Sequence, residues 1–397
     1  MYLKKKKIDL VILAGGKGTR IKKFLDNIPK PLYKFDNISF LQLLLNNYCK
    51  YPLENIYIMC GYKGSKIYKK YNNKIINFVS IKCYLEKKPL GTAGALGSLK
   101  KTIKNDFFLI NGDSFCDFKL NEFFYKNYNS NKIFLTNNKT YKSNSKLTNL
   151  SIDKDNKIIF NKKSNLMNAG IYFFKKKFLK RIKKNSFSLE NELIPQLIKE
   201  KKLEGVKTHG YFIDIGTEKN LFIAKKKLPL LFRKPAAFLD RDGVINYDKN
   251  YVYKIKDFKF KKSVFKFLKF LAKKNYYIFI ITNQAGIAKK KFSLSSFFKL
   301  HKHLKHFFNQ KHINIDDVQY CPYHKNGLIE KYKKNSIFRK PKNGMIKNIE
   351  RNWFLKKRKS FFIGDKLSDK LCAKKSNLYY EFAKENLFNQ AKQLVNK

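Results

Sequence analysis

The sequence predicts an α/β chain of two domains, each built on a mostly parallel sheet. Three observations carry that expectation. The chain has 397 residues, enough for two domains of ordinary size that each bury a core. Apolar runs of strand length alternate with helix-patterned stretches. Polar segments rich in glycine or acids follow the apolar runs directly, and in an open parallel sheet the carboxyl ends of the strands form the ligand crevice.

Composition narrows the function classes. Apolar residues make up 43% and aromatics 16% of the chain, which is globular material, and the formal net charge is +58. The lysines are scattered through helices, loops and strand ends and accompany abundant Asn, Ile, Phe and Tyr. That pattern points to biased coding composition rather than a nucleic-acid groove, so no nucleic-acid partner is expected. A basic surface still attracts phosphorylated small molecules. Six cysteines, at 49, 60, 83, 116, 321 and 372, form no CxxC pair and fit reduced thiols of a cytoplasmic protein. Lys4 to Lys7 precede an apolar run that carries Asp9 and ends in glycines, so the run reads as a strand rather than a leader. No run reaches the length of a membrane span, so no membrane partner is expected. Homo-oligomerisation stays open.

In the first half, Leu10 to Ala14, Ile56 to Cys60, Phe107 to Ile110 and Ile171 to Phe174 read as strands, and Phe40 to Tyr48 as a helix. The first strand empties into AGGKGTR, Ala14 to Arg20, where glycines let the backbone approach an anion and Lys17 and Arg20 add charge. Pro29-Lys30-Pro31 presents one lysine on a stiff segment. EKKPLGTAGAL, Glu86 to Leu96, is a second glycine-rich loop, and Asp113 stands just past a strand end. Each piece alone is as compatible with a turn or a helix cap.

The ordered set AGGKGTR, PKP, EKKPLGTAGA, NGD, NAGIY (Asn168 to Tyr172) and GYFIDIGT (Gly210 to Thr217) resembles the sugar-phosphate nucleotidylyltransferases over residues 8 to 225. Within them it is most similar to the heptose 1-phosphate guanylyltransferases. The resemblance implies a Rossmann-like sheet binding a nucleoside triphosphate through Gly15, Gly16, Gly18, Thr19, Gly91 and Thr92. It implies Arg20 and Lys30 on the phosphates, Asp113 and Asp214 on Mg²⁺, and Lys162, Asn168 and Gly170 toward a sugar phosphate. Where relatives carry Glu-Lys, this chain has Asn161-Lys162. Glu190, in SLENELIP, reads either as a sugar ligand or as part of a Ser-capped helix start, the cap being favoured.

Lys225 to Pro235 holds two prolines and clustered charge and reads as linker, giving domains 1–228 and 236–397 with 229–235 between them. Ala236 to Leu239 reads as a fresh strand ending in Asp240 and Asp242, two carboxylates that strand alternation turns to one face, with Gly243 allowing an immediate turn. Such a pair suits phosphoryl transfer, one acid attacking phosphorus and the other handling the leaving group's proton. It equally suits a strand-end Asp-Gly turn. Val264 to Ala272 reads as a helix, and Tyr277 to Ile281 as a strand that ends in TNQAGIA. RKPKNGM and FFIGDKLSD follow.

DxDGVIN, TNQAGIA, RKP and GDKxxD in this order resemble the haloacid dehalogenase phosphatases over residues 236 to 380, the heptose 1,7-bisphosphate 7-phosphatases most, the histidinol-phosphatases more distantly. The resemblance implies Asp240 as nucleophile and Asp242 as general acid, then base. It places Thr282 and Asn283 on the phosphoryl group, Lys340 on its charge, Arg339 on the rest of the substrate, and Asp365 and Asp369, with Asp240 and Asp242, around Mg²⁺. Relatives often hold zinc with C-x-H and C-x-C. Here Cys321 and His324 face Ser336 and Phe338, so no zinc is expected. His301, His303 and His306 read as a wet helix surface.

Together the halves read as a bifunctional sugar-nucleotide enzyme, in which a 7-phosphatase prepares the heptose 1-phosphate that the other half activates, with GTP as donor. A hexose 1-phosphate nucleotidylyltransferase beside another phosphatase keeps both reactions and changes the sugar. A basic scaffold with dead sites is disfavoured by the retention of every acid both mechanisms need.

Overall fold

The computed structural model describes residues 6–86, 91–137, 147–182 and 188–396. Lys4, Lys5 and residues 87–90 of the second glycine-rich loop lie outside them.

The first half is organised on β1 (Ile8–Leu13), whose burial on both faces matches the apolar run that begins at Leu10. It is followed by α1 (Phe40–Cys49), β2 (Asn55–Cys60), the hairpin β3 (Ile75–Ile76) and β4 (Val79–Leu85), then β5 (Asp106–Asn111), β6 (Ser114–Cys116) and β7 (Asn131–Asn137). β8 (Leu166–Phe174), β9 (Leu203–Thr208), β10 (Phe212–Asp214) and α2 (Glu218–Phe232) complete it. The central sheet runs β8-β5-β1-β2-β4-β3. β1 pairs in parallel with β2 and β5, whereas β8 enters antiparallel to β5, so the sheet is mixed but mostly parallel at its centre.

The second half is a five-stranded, wholly parallel sheet. β11 (Ala236–Leu239) lies at its centre, flanked by β12 (Tyr277–Asn283) and β14 (Phe361–Gly364), with β13 (Asp317–Cys321) and β15 (Tyr379–Phe382) outside. The 17-residue α3 (Leu294–Gln310) packs through Phe297, Leu300, Leu304 and Phe308. α4 (Leu367–Lys375) follows β14.

α2 continues to Phe232, through most of the segment that reads as linker. Pro229 removes one helical N–H, but Leu228 and Pro229 are buried, and their burial holds the helix for a further turn. The halves are docked. Asn46 Nδ2 donates to the Asn352 carbonyl at 2.6 Å, Tyr125 Oη to the His306 carbonyl at 3.0 Å, and Asn77 Nδ2 to the Ile315 carbonyl at 3.0 Å.

At the centre of this contact Lys305, 8% exposed, donates to the carbonyls of Cys49 and Asn77. Burial pushes its ammonium down to about 7, from an ordinary value of 10.5. Between those values the unfolded chain binds more protons than the folded one, so stability rises as pH climbs through this window and is flat below it. Urea midpoints measured from pH 7 to pH 10 should therefore rise more steeply for the parent chain than for Lys305→Met; equal slopes would refute the buried, proton-shedding lysine.

Candidate active sites

Parallel pairing brings the ends of β1, β2 and β5 to one edge, with Leu13 opposite both Met59 and Asn111. Beyond that edge the backbones of Gly15 and Gly61 touch: a Cβ on Gly61 would lie 2.7 Å from the Gly15 Cα, so a side chain there would push the first loop away. A cavity of about 340 Å³ opens over them, lined by Gly15, Gly16, Lys30, Thr92, Asp113 and Glu190 among others.

Lys30 is buried and pairs with Asp113, whose other oxygen accepts from Ser114 Oγ at 3.2 Å. Although burial favours the neutral acid, Lys30 holds the Asp113 carboxyl below its ordinary value. Asp214 reaches the same place by another route. β10 pairs antiparallel with β6, setting Asp214 opposite Ser114, and Ile215 N–H donates to the Asp113 carbonyl at 2.9 Å. Asp214 accepts from Gly216 N–H and Asn220 Nδ2, both at 2.8 Å. Burial, then the charge of Asp113, raises its carboxyl. Arg20 is exposed and lies with Lys30 and Asp214 around Gly216. Gly18 and Thr19 lead out of the cavity in the turn toward Arg20.

Gly170 packs behind Asn111, and Asn168 spends its side chain on Gly170 N–H at 2.9 Å and the Tyr172 hydroxyl at 2.6 Å. Lys162 is exposed in the turn after residues 158–160 and is not among the cavity's lining residues, contrary to the expectation for it. Ser188 caps the helix start, as expected for its segment, and Glu190 Oε2 accepts from Thr92 Oγ1 at 2.8 Å at the cavity wall.

In the second half β11, β12 and β14 run the same way, so Asp240, Thr282-Asn283 and Asp365 emerge together. Lys340 is 3% exposed and its Nζ lies 2.8 Å from Asp240 Oδ1, 2.6 Å from Asp369 Oδ1 and 2.9 Å from the Ile281 carbonyl. Burial works against its charge, yet Asp240 and Asp369 hold the ammonium up at about 12. One ammonium does not neutralise the group: Asp240, Asp365 and Asp369 offer oxygens within 4.8 Å of one another, and burial raises the carboxyls of both Asp240 and Asp365. Asp365 Oδ1 is buried without a hydrogen bond. Among the described residues this cluster fits a divalent cation.

Asp242 stands apart from that cluster, contrary to its expected place around the metal. Its carboxylate accepts from Arg241 Nη2 at 2.8 Å on both oxygens, from Asn246 Nδ2 at 2.9 Å and from Gln284 Nε2 at 3.2 Å. Asn283 is also differently employed. Its side chain clasps the backbone of Lys340, accepting from N–H at 3.0 Å and donating to the carbonyl at 3.1 Å, while the Thr282 hydroxyl accepts from Gln284 at 2.8 Å. Arg339 Nη1 is buried without a hydrogen bond. Cys321 is buried, and His324 Nδ1 accepts from Asn326 N–H at 3.1 Å.

Residues 10–229, more than half the chain, match the nucleotidyl transferase family. This chain belongs to that family. Residues 234–388 match the family described as polynucleotide kinase 3 phosphatase. Over 134 residues the chain is 44% identical to the D-glycero-alpha-D-manno-heptose-1,7-bisphosphate 7-phosphatase of Campylobacter jejuni, covering 34% of this chain and 73% of that protein. Over 222 residues it is 29% identical to the D-glycero-alpha-D-manno-heptose 1-phosphate guanylyltransferase of the same organism, covering 53% and 96%. Among solved structures, HddC from Yersinia pseudotuberculosis superposes with a TM-score of 0.47 at 29% identity, covering 55% of this chain and 99% of that one. The chain is thus a fusion of a nucleotidyl transferase with a half that belongs with the heptose bisphosphate phosphatases. In the described residues no helix is long and apolar enough to cross a membrane.

Several residues of the phosphatase-like half escaped sequence reasoning. Arg241 lies between the two acids of the motif and is 1% exposed; its position was visible, its burial was not. His301 is 3% exposed rather than wet. Its spacing from Phe297 and Lys305, four residues each way on α3, was the available signal that it flanks the apolar stripe. Gln284 was within TNQ, one residue past the pair singled out.

The turn that brings Asp242 round depends on Gly243, whose φ is +83° and where a Cβ would fall 2.3 Å from Asp365 Oδ2. Gly243→Ala should lower stability by about 2 kcal/mol or more, read as a lower denaturant midpoint. A midpoint equal to the parent's would show that Asp365 moves aside freely.

Proposed function

We propose that the second half removes the 7-phosphate of a heptose 1,7-bisphosphate and that the first half joins the resulting heptose 1-phosphate to a nucleotide, with GTP as donor. The observation that carries this reading is the fusion itself. Its halves resemble two Campylobacter jejuni proteins whose names describe consecutive steps on one α-configured sugar, the product of the first being the acceptor of the second.

In the phosphatase half, both Lys340 and the Arg241 N–H contact Asp240 Oδ1, at 2.8 Å each, which leaves Oδ2 to attack phosphorus. The ester P–O bond breaks as the Asp240–phosphorus bond forms, and Asp242 gives the leaving oxygen a proton. Asp242 then takes a proton from the water that hydrolyses the aspartyl phosphate. Lys340, fixed in place by Asn283, offsets the repulsion between carboxylate and phosphate. The Thr282 hydroxyl binds a phosphoryl oxygen, and Arg339, with its unsatisfied guanidinium nitrogen, grips the rest of the sugar phosphate. Asp240, Asp365 and Asp369 would hold Mg²⁺, which when bound supplies charge neutralisation at the transferring phosphoryl group.

In the nucleotidyl transferase half a sugar 1-phosphate oxygen attacks the α-phosphorus of the triphosphate and pyrophosphate leaves; position and charge neutralisation suffice. Gly15, Gly16, Gly18 and Thr19 present backbone to the phosphates, with Arg20 and Lys30 on their charge. Gly91 and Thr92 border the nucleotide. Asp113 and Asp214 fit a second Mg²⁺, since burial and mutual repulsion raise Asp214 until a cation relieves it. Asn168 and Gly170 shape the sugar side, and Glu190 is placed to accept from sugar hydroxyls.

Incubation with Mg²⁺, heptose 1,7-bisphosphate and each nucleoside triphosphate in turn tests the reading. Phosphate should appear without any nucleotide, and pyrophosphate chiefly with GTP. No phosphate release from the bisphosphate would sink the heptose assignment. Asp240→Asn should cut phosphate release by about 10³-fold or more while leaving nucleotidyl transfer to supplied heptose 1-phosphate intact, and Asp113→Asn should do the reverse. Loss of both activities in either folded variant would show that the sites are not separate.

A further inference from the structure

The hairpin between β3 and β4 turns in two residues, Asn77 and Phe78, with Ile76 paired to Val79. Both have positive φ, 43° and 63°. Two-residue hairpin turns of this hand favour Asn followed by Gly, because a side chain at the second position meets its own backbone. Phenylalanine there is unfavourable for the hairpin. What the ring gains lies elsewhere: it is 4% exposed and packs into the core of the other half rather than that of its own sheet.

The ring stacks on His301 at 4.8 Å between centroids and 20° between planes, and meets Phe297 edge-on at 5.8 Å. His301 Nε2, at the edge of the imidazole, lies 3.3 Å from Arg241 Nη1. Since a guanidinium only donates, the imidazole there is the neutral acceptor, its proton on Nδ1. Arg241 then grips both oxygens of Asp242 through Nε at 3.2 Å and Nη2 at 2.8 Å, and its Nη2 also reaches the Val252 carbonyl at 2.9 Å. The tip itself is clamped: Asn77 donates to the carbonyls of Ile315 and Asp316 at 3.0 and 3.1 Å, and Lys305 donates to the Asn77 carbonyl at 2.6 Å. An unbroken run of contacts therefore joins the nucleotidyl transferase half to a catalytic acid of the other.

We infer that Phe78 is a positioning residue for the phosphatase: stacked on His301, it keeps Arg241 directed at Asp242, so that hydrolysis in the second half depends on the docked hairpin of the first. This rests on the reading of Asp242 as general acid. Without the ring, water reaches the imidazole, Nη1 loses its fixed acceptor, and the fork on Asp242 loosens. Asp242 acts in the transition state rather than in substrate binding, so the loss belongs to kcat.

Phe78→Gly is the decisive variant, because it creates the favoured Asn-Gly turn and removes only the ring. Assayed in the full chain, it should lower phosphatase kcat about tenfold, part of what a general acid contributes, with KM and nucleotidyl transfer unchanged. Phe78→Tyr, which retains a stacking ring, should restore most of the rate. His301→Leu should lower kcat similarly, and the double variant should be no worse than the poorer single one. Unchanged kcat in Phe78→Gly, a change in KM alone, parallel loss of both activities, or additive losses in the double variant would each overturn the inference. A parent chain that hydrolyses no phosphomonoester would overturn the functional reading itself, and this inference with it.

Discussion

Parallel pairing is the constraint on which both sites depend. A parallel strand cannot return without a crossover, so successive strands deliver their carboxyl ends to the same edge, and whatever follows each strand is gathered there. In the second half this edge receives Asp240 after β11, Thr282 and Asn283 at the end of β12, and Asp365 after β14, from three separate stretches of the chain. In the first half the same rule brings the loop after β1 against Gly61 and Asp113. The antiparallel exceptions are also informative. β10 approaches from the other direction, and pairing with β6 is what returns Asp214 to Asp113.

The two sites solve a shared electrostatic problem in the same way. Lys30 and Lys340 are buried, at 7% and 3% exposure, and each lies against carboxylates that would otherwise repel an anionic substrate. In a chain with 87 Lys and Arg and only 29 Asp and Glu, charge alone distinguishes no lysine. Burial does. A desolvated ammonium acts at far lower effective dielectric than its surface counterparts. Burial pushes the ammonium of Lys305, which faces carbonyls, down, whereas Asp240 and Asp369 hold that of Lys340 up.

This difference explains how much the sequence disclosed. The strands that deliver the sites were readable because their apolar runs are continuous, and the motif acids were readable through the ordered set of motifs that follows those strands. Asn283 was found as a polar residue at a strand end, but its partner, the Lys340 backbone, lies 57 positions away and only the fold joins them. The family resemblance grouped Asp242 with the metal acids. The buried Arg241 beside it turns it elsewhere, and nothing local announces that an arginine is buried. Lys162 was singled out by its motif position, and the turn that carries it faces solvent. Helix α2 outran its expected end because burial of Leu228 and Pro229 outweighed a local breaker.

The hairpin tip at Asn77-Phe78 shows the same conflict between local and global preference in its sharpest form. Local rules ask for glycine at Phe78, and a sequence optimised for the hairpin alone would supply it. The strain is sustained because the ring's burial is credited to another core, which means the β3–β4 hairpin and the phosphatase half are not independently optimised units. A surface joined merely by tethering would carry no such local violation. The interface instead holds a buried lysine on backbone carbonyls and an imidazole in contact with an aromatic ring and an arginine, groups that burial makes dependent on these partners. The docked arrangement therefore joins the tip of one half's hairpin to the core of the other, and it gives the buried Lys305 its carbonyl partners across the contact.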